Sequence, residues 1–170
     1  MTIIDYIRTN SPNKLDNVLE LGSGDQADAL QIISDINGKY FAIDKKNNEK
    51  ENIGITFIND DYFDIDYVDK IINNDKFDLI FSNYSLCFNQ KDVIIKSLPY
   101  YLNKITQNGI FYLSDFNNNE QVVKKRTNLY DEWFFELIKT YFKSYNISER
   151  EVYEKEHDHT HNIFELIAYK

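Results

Sequence analysis

The sequence predicts an α/β fold built on a mostly parallel sheet that ends in an antiparallel hairpin. Two patterns support this prediction. Short runs rich in β-branched and aromatic residues alternate with longer stretches whose apolar residues recur every three or four positions, as in βαβ units. The segment 146–170 instead holds two strand-like runs joined by a polar turn, which leaves no room for a helix and therefore requires antiparallel pairing.

The elements follow one another in a regular order. Strands are predicted at 17–21, 39–44, 55–59, 77–83 and 109–116. Helical periodicity is predicted at 26–36, 63–72 and 90–105, and a long amphipathic stretch covers 120–142. Pro99 is expected to kink or interrupt the helix 90–105, because proline lacks the backbone N–H that helix geometry uses.

The composition predicts one domain, residues 1–170. The chain of 170 residues is 42% apolar and 15% aromatic, enough for one sizeable core, and its two prolines and five glycines mark no linker. Cys87 is the sole cysteine, so an intrachain disulfide is excluded. No signal peptide or membrane-spanning run is visible, and we expect a cytoplasmic protein.

The net charge limits the partners. A formal charge of −9 disfavours nucleic acid, since such binding depends on lysine and arginine neutralising phosphates. The same charge favours neutral or cationic substrates over phosphorylated ones.

The segment "VLELGSGDQADAL" (18–30) predicts a ligand-binding turn after the first strand. Gly22, Ser23 and Gly24 suit a tight path that lets a ligand approach the backbone. Interpreted as G-x-G-x-x-A, the turn would bind a dinucleotide, with Asp44 on the ribose. Glu20 argues against this, because a carboxylate next to the turn repels a pyrophosphate and attracts a cation.

Interpreted as E-x-G-x-G, the same turn resembles motif I of the class I S-adenosylmethionine-dependent methyltransferases, and the resemblance extends over nearly the whole chain. It implies a seven-stranded Rossmann-like sheet of order 3-2-1-4-5-7-6 with strand 7 antiparallel, and S-adenosylmethionine as cofactor. Glu20 would then orient the methionine end of the cofactor. The third glycine of the motif is replaced by Gln26, which leaves open a weakened site.

The resemblance implies further cofactor contacts. Asp44 in "FAID" would bind both ribose hydroxyls. In "FINDDYF", Asp61, or alternatively Asp60, would contact the adenine amine, and Tyr62 or Phe63 would pack on the adenine ring. The segment "FSNYSLCF" lacks the Asn-Pro-Pro-aromatic motif of amino-directed DNA and protein-glutamine methyltransferases. The tail "KEHDHTHNIFELIAYK" is similar to small bacterial tellurite-resistance and thiopurine-like methyltransferases.

Candidate substrate-side residues lie at the same edge of the predicted sheet. Asn83 and Tyr84 follow strand four, and Asp115 ends strand five as a candidate base. The hairpin turn "HDHTH" holds His157, His159 and His161, whose spacing by two lets the three rings converge. Surface histidines, a substrate contact or base, and a metal site remain open interpretations; we predict no metal.

The expected function is methyl transfer to a small molecule, with a protein side chain as second choice. Two alternatives remain: a NAD(P)-binding oxidoreductase domain, and a catalytically silent methyltransferase-like module that binds a partner. No insertion is long enough to form a lid, so we expect an open site. Either its coverage is unimportant for the substrate, or a second copy of the chain or another protein covers it.

Overall fold

The computed structural model describes residues 15–24, 36–46, 54–117, 130–155 and 158–170, together with Asp5 and Thr9. Within these residues seven strands form one sheet: β1 (Leu15–Leu21), β2 (Ile36–Asp44), β3 (Ile55–Asn59), β4 (Phe77–Asn83), β5 (Ile105–Phe116), β6 (Ser144–Glu154) and β7 (His159–Tyr169). The same residues include the helices α1 (Ile65–Ile72), α2 (Lys91–Lys104) and α3 (Glu132–Tyr141), and a 3-10 turn at Leu86–Phe88.

The strand order is β3-β2-β1-β4-β5-β7-β6, which confirms the predicted topology. Strands β1 to β5 pair in parallel, whereas β7 runs antiparallel to both β5 and β6. The order reverses between β1 and β4, which are hydrogen-bonded neighbours although they are distant in sequence. Ligands of open α/β sheets bind outside the carboxyl ends of the strands at such a switch point.

Both faces of the sheet are apolar, because successive side chains of a strand point to opposite faces. One face carries Leu19, Leu21 and Ile80, and the three helices pack on it. The other face buries a smaller cluster: Leu15, Val18, Tyr40, Ala42, Leu79, Phe81 and Tyr112. Of the helices described, none has the length and apolar character needed to cross a bilayer.

The helix predicted at 90–105 is observed at 91–104, but Pro99 does not interrupt it. That part of the prediction is wrong, because Leu98, Tyr101 and Leu102 are buried on both sides of the proline. Their burial outweighs the cost of about 3 kcal/mol that proline imposes inside a helix.

Three other predicted elements have different bounds in the structure or lie partly outside its described residues. Of the predicted stretch 120–142, residues 120–129 lie outside the described residues, and the described helix α3 covers Glu132–Tyr141. The Tyr130 ring, just before α3, stacks on Phe164 at 4.5 Å. Strand β5 begins at Ile105, directly after α2, and not at 109. The predicted helix 26–36 falls outside the described residues except for Ile36, which begins β2.

Candidate active site

A cavity of about 390 Å³ opens at the carboxyl ends of β1, β2 and β4. Its described lining consists of Glu20, Gly22, Ser23, Gly24, Asp44, Lys46, Asn83, Tyr84, Ser85 and Phe88. Seven of these were predicted site residues; Lys46, Ser85 and Phe88 were not. The volume lies within the range of about 300–1,000 Å³ found for small-molecule sites. We call this space the first cavity.

The glycine turn after β1 is held against β2 by its own backbone. The N–H groups of Gly22 and Ser23 both donate to the Ile43 carbonyl, at 2.8 and 3.1 Å. Gly22 has φ +80, and a Cβ there would lie 2.0 Å from Ser85 Oγ. Both observations require glycine at this position, because an L side chain is strained at that φ and would collide with Ser85.

Two predicted acids border the first cavity in different ways. Asp44 accepts hydrogen bonds from Gly24 N on Oδ2 and from Lys46 N on Oδ1, both at 2.8 Å, and so links the turn to the end of β2. Glu20 is 2% exposed and accepts a hydrogen bond from the Tyr40 hydroxyl at 2.5 Å. The first cavity therefore carries carboxylates beside both halves of the glycine turn.

Ser23 provides a test of whether a polar ligand fits. Its side-chain Oγ is buried and has no hydrogen-bond partner among the described residues. An unpaired buried hydroxyl costs free energy, so a polar group of a ligand beside the turn would satisfy it. With the open space around Gly24, where an added Cβ would meet no described atom within 4 Å, this fits a polar cofactor lying over the turn.

The residues predicted to bind adenine lie beside the first cavity but are not in its described lining. Asp61 pairs with Lys45 at 2.7 Å, and Asp60 accepts a hydrogen bond from the Asp61 N–H at 2.6 Å. Tyr62 is 5% exposed, and its hydroxyl lies 3.0 Å from Ser85 Oγ. Burial raises the pKa of the Tyr62 phenol, which keeps it a hydrogen-bonding hydroxyl. The Tyr62 hydroxyl thus helps to fix the position of the Ser85 side chain.

Tyr84 occupies a special position after β4. Its φ of +49 is left-handed, which is uncommon for a residue other than glycine and marks functional sites in particular. The Tyr84 N–H donates to the Ser114 carbonyl at 2.8 Å, and its ring lies 5.1 Å from that of Phe116. These contacts hold the phenol at the carboxyl edge beside Asn83, which also lines the first cavity.

Asp115, the predicted base, is fully buried and is in the described lining of neither cavity at this edge. Its Oδ2 accepts hydrogen bonds from Cys87 N at 2.8 Å and from the Tyr130 hydroxyl at 2.7 Å, and its Oδ1 accepts one from Phe116 N at 3.0 Å. Burial raises the pKa of this carboxyl to about 6 although these donors oppose the shift. Asp115 fixes the 3-10 turn that carries Phe88 to the first cavity.

A second cavity of about 680 Å³ lies next to the first at the same edge. Its described lining consists of Tyr84, Phe116, Val152, Tyr153, Glu154, Lys155, His161 and Ile163. Tyr84 lines both cavities, so the two cavities meet at this residue. We call this space the second cavity.

The hairpin histidines lie in different surroundings. His161 lines the second cavity, with its Nε2 2.9 Å from Glu154 Oε2. His159 is exposed, and its ring lies 4.7 Å from the ring of His161. His157 lies outside the described residues, as does Gln26. The part of the chain that the structure describes contains no group of three or more His, Cys, Asp or Glu arranged to hold a metal.

Sequence reasoning missed Ser85, Phe88, Phe116 and Glu154. Ser85 and Phe88 follow β4 and Phe116 ends β5, so position at the carboxyl edge was an available signal. No sequence signal marked Glu154, because it is one of several acids in "SEREVYEKE". Only the register that sets Val152 opposite His161 and Glu154 opposite His159 brings it into the cavity.

The fold is similar to those of solved methyltransferases. The N-methyltransferase NodS from Bradyrhizobium japonicum WM9 matches with a TM-score of 0.68 at 11% identity, over 98% of this chain and 93% of that chain. The plantazolicin methyltransferase BpumL in complex with S-adenosyl-L-homocysteine gives 0.67 at 13% identity, over 98% and 80%. An rRNA methylase from Streptococcus thermophilus gives 0.57 at 9% identity, over 92% and 88%.

These similarities are structural. No family model and no curated protein sequence matches the chain. Because the sequence identities are low, the similarity to these solved proteins concerns the fold of the chain.

Proposed function

We infer that this chain, which has the class I S-adenosylmethionine-dependent methyltransferase fold, binds that cofactor and methylates a small molecule. The observation that carries the proposal is the first cavity. It brings Glu20, the turn from Gly22 to Gly24, and Asp44 together at the point where the strand order reverses.

The chemistry of the lining suits a cofactor that is cationic at one end. The carboxylate of Glu20 would attract the ammonium and sulfonium of the methionine portion, whereas it would repel a pyrophosphate. Asp44 would accept hydrogen bonds from the ribose hydroxyls, and Ser23 Oγ would gain a partner. When bound, the cofactor supplies a methyl group that its positive sulfur makes electrophilic.

The protein's own contribution is alignment. In-line transfer requires acceptor and methyl group on one axis, and holding two reactants in that geometry is the main source of acceleration. Tyr84, fixed by Ser114 and Phe116, borders both cavities, so the two reactants would meet beside its side chain. The second cavity is the proposed acceptor site.

Two features favour a small acceptor over a nucleic acid. The net charge of −9 opposes a phosphate backbone, and the second cavity has the volume that drug-sized ligands occupy. The structural neighbours named for N-methyl transfer and for plantazolicin support the same preference, whereas the rRNA methylase supports the competing class.

Calorimetric titration tests the cofactor. We expect saturable binding of S-adenosyl-L-homocysteine and no saturable heat with NAD or NADP, because the pyrophosphate would lie beside Glu20. Tight dinucleotide binding without a response to S-adenosyl-L-homocysteine would favour the oxidoreductase alternative. No binding of any of the three ligands would favour the partner-binding module.

The Asp44→Ala variant tests the ribose contact. We expect its affinity for S-adenosyl-L-homocysteine to fall by about 1–3 kcal/mol, roughly 5- to 150-fold, because the hydrogen bonds of the hydroxyls lose their acceptor. Asp75→Ala is the matched control, since Asp75 pairs with Lys39 away from the described cavity lining. Equal affinities of the two variants in calorimetry would remove Asp44 from the proposed site.

A further inference from the structure

The second cavity has a largely apolar wall. Phe116 and Ile163 face each other across the β5–β7 pair, and Val152 extends the surface on β6. The Phe116 ring is fixed between neighbours, with ring centroids 5.1 Å from Tyr84 and 5.1 Å from His161. The wall is therefore a rigid surface on the sheet, suited to the apolar or planar body of a ligand.

One carboxylate is positioned inside this apolar wall. Glu154 Oε2 lies 2.9 Å from His161 Nε2, and the two side chains are 41% and 18% exposed, respectively. The imidazole is the more buried partner, and its Nδ1 is enclosed. His161 therefore fixes the position of the Glu154 side chain, and the more exposed Glu154 carboxylate is the group that a ligand would contact.

Glu154 is the one carboxylate in the described lining of the second cavity. The neighbouring Arg150 is paired with the buried Glu165 at 2.9 Å. The Tyr153 hydroxyl donates to Asp158 at 2.6 Å, which places a second carboxylate at the hairpin turn. Lys155 is the one lysine in the described lining, and it is exposed.

We propose that the second cavity binds an organic amine with an apolar, planar body, and that Glu154 is its ion-pair partner. The apolar body packs on Phe116, Val152 and Ile163, and the ammonium sits between Glu154 and the ring of Tyr84. His161 is a positioning residue, because it acts by fixing the Glu154 carboxylate. This assignment rests on the proposed function and names the acceptor class for that site.

The combination of groups explains the selectivity. An ammonium is attracted both by the partly buried carboxylate and by the face of an aromatic ring. An alcohol of the same shape carries no charge and gains neither attraction. A carboxylate ligand of similar shape meets repulsion from Glu154. The second cavity therefore discriminates by charge among ligands of equal size.

Three probes that share a 2-phenylethyl body test this with the full chain saturated with S-adenosyl-L-homocysteine: 2-phenylethylamine, 2-phenylethanol and 3-phenylpropionate. Ligand-observed NMR titration should give the amine an affinity about tenfold above that of the alcohol, and the carboxylate the weakest. Glu154→Gln should bring the amine to the level of the alcohol and leave alcohol binding unchanged. His161→Phe should reduce the amine-to-alcohol ratio without abolishing alcohol binding.

Glu151→Gln is the matched control, because Glu151 lies on the same strand but on its opposite face, paired with Asn162. It should preserve the selectivity for the amine. Equal binding of amine and alcohol, equal behaviour of the Glu154 and Glu151 variants, or no binding of any probe would overturn the assignment. Absence of S-adenosyl-L-homocysteine binding would instead defeat the proposed function, so the two failures are distinguishable.

Discussion

Gly22→Ala is expected to destabilise the protein by about 2–5 kcal/mol and to remove its affinity for S-adenosyl-L-homocysteine. Two costs add. At φ +80 an alanine is strained, and its Cβ would lie 2.0 Å from Ser85 Oγ and 2.4 Å from Ser85 Cβ. Ser85 has little freedom to retreat, because its carbonyl and its hydroxyl both contact the buried Tyr62 hydroxyl. The turn must therefore move, and the first cavity changes shape with it.

Gly24→Ala is the matched control on the same turn. Its φ is +57, so the backbone cost of about 1–2 kcal/mol remains, but the added Cβ would meet no described atom within 4 Å. Urea denaturation should show the larger loss of stability for Gly22→Ala. Calorimetry should show reduced S-adenosyl-L-homocysteine affinity in both variants, because the Gly24 methyl would project into the space proposed for the cofactor. Equal stability of the two variants would mean that Ser85 moves aside easily.

The strand order could be predicted because two features of the sequence leave few alternatives. Alternating strands and helices enforce parallel pairing, and the interval between β6 and β7 is too short for a crossover. Helix boundaries depend on packing, which the pattern does not contain. Pro99 is tolerated inside α2 because the residues around it are buried.

In the candidate site, the residues nearest the strand ends were the predictable ones. Glu20, Gly22 and Asp44 line the first cavity because the backbone path alone puts them at the carboxyl edge. The side-chain direction of Asp115 depends on strand alternation, which points Ser114 and Phe116 to one face and Asp115 to the other, beneath the 3-10 turn. Two of its three donors, Cys87 N and the Tyr130 hydroxyl, come from other segments of the chain, so no local pattern indicated its burial.

The pairing of Glu154 with His161 illustrates the same limit. Four of the residues from 149 to 156 are glutamates, and nothing in that run separates the one that enters a cavity from those that face solvent. Cross-strand register decides this, and register depends on where the turn begins. Strand β6 ends at Glu154 and β7 begins at His159, so His159 and His161 belong to β7 and are not turn residues as the sequence predicted.

The buried Asp115 predicts a specific dependence of stability on pH. Its pKa is about 6 in the folded protein against an ordinary value of 3.8, so between these values the folded state retains a proton that the unfolded chain releases. The free energy of unfolding therefore falls as pH rises through this window. A difference of about two pKa units corresponds to roughly 3 kcal/mol lost between about pH 4 and pH 6.

Asp115→Asn removes this titration and is the reference against which the loss is measured. In urea denaturation from pH 4 to pH 7, the stability of the original protein minus that of Asp115→Asn should fall with pH and level off above about pH 6. Tyr130→Phe removes a donor that favours the ionised carboxylate, so it should raise the Asp115 pKa and move the fall to higher pH. If the original protein and Asp115→Asn instead kept a constant difference across the range, Asp115 would titrate at its ordinary value. The carboxylate would then reach water, and its place as a candidate base would reopen.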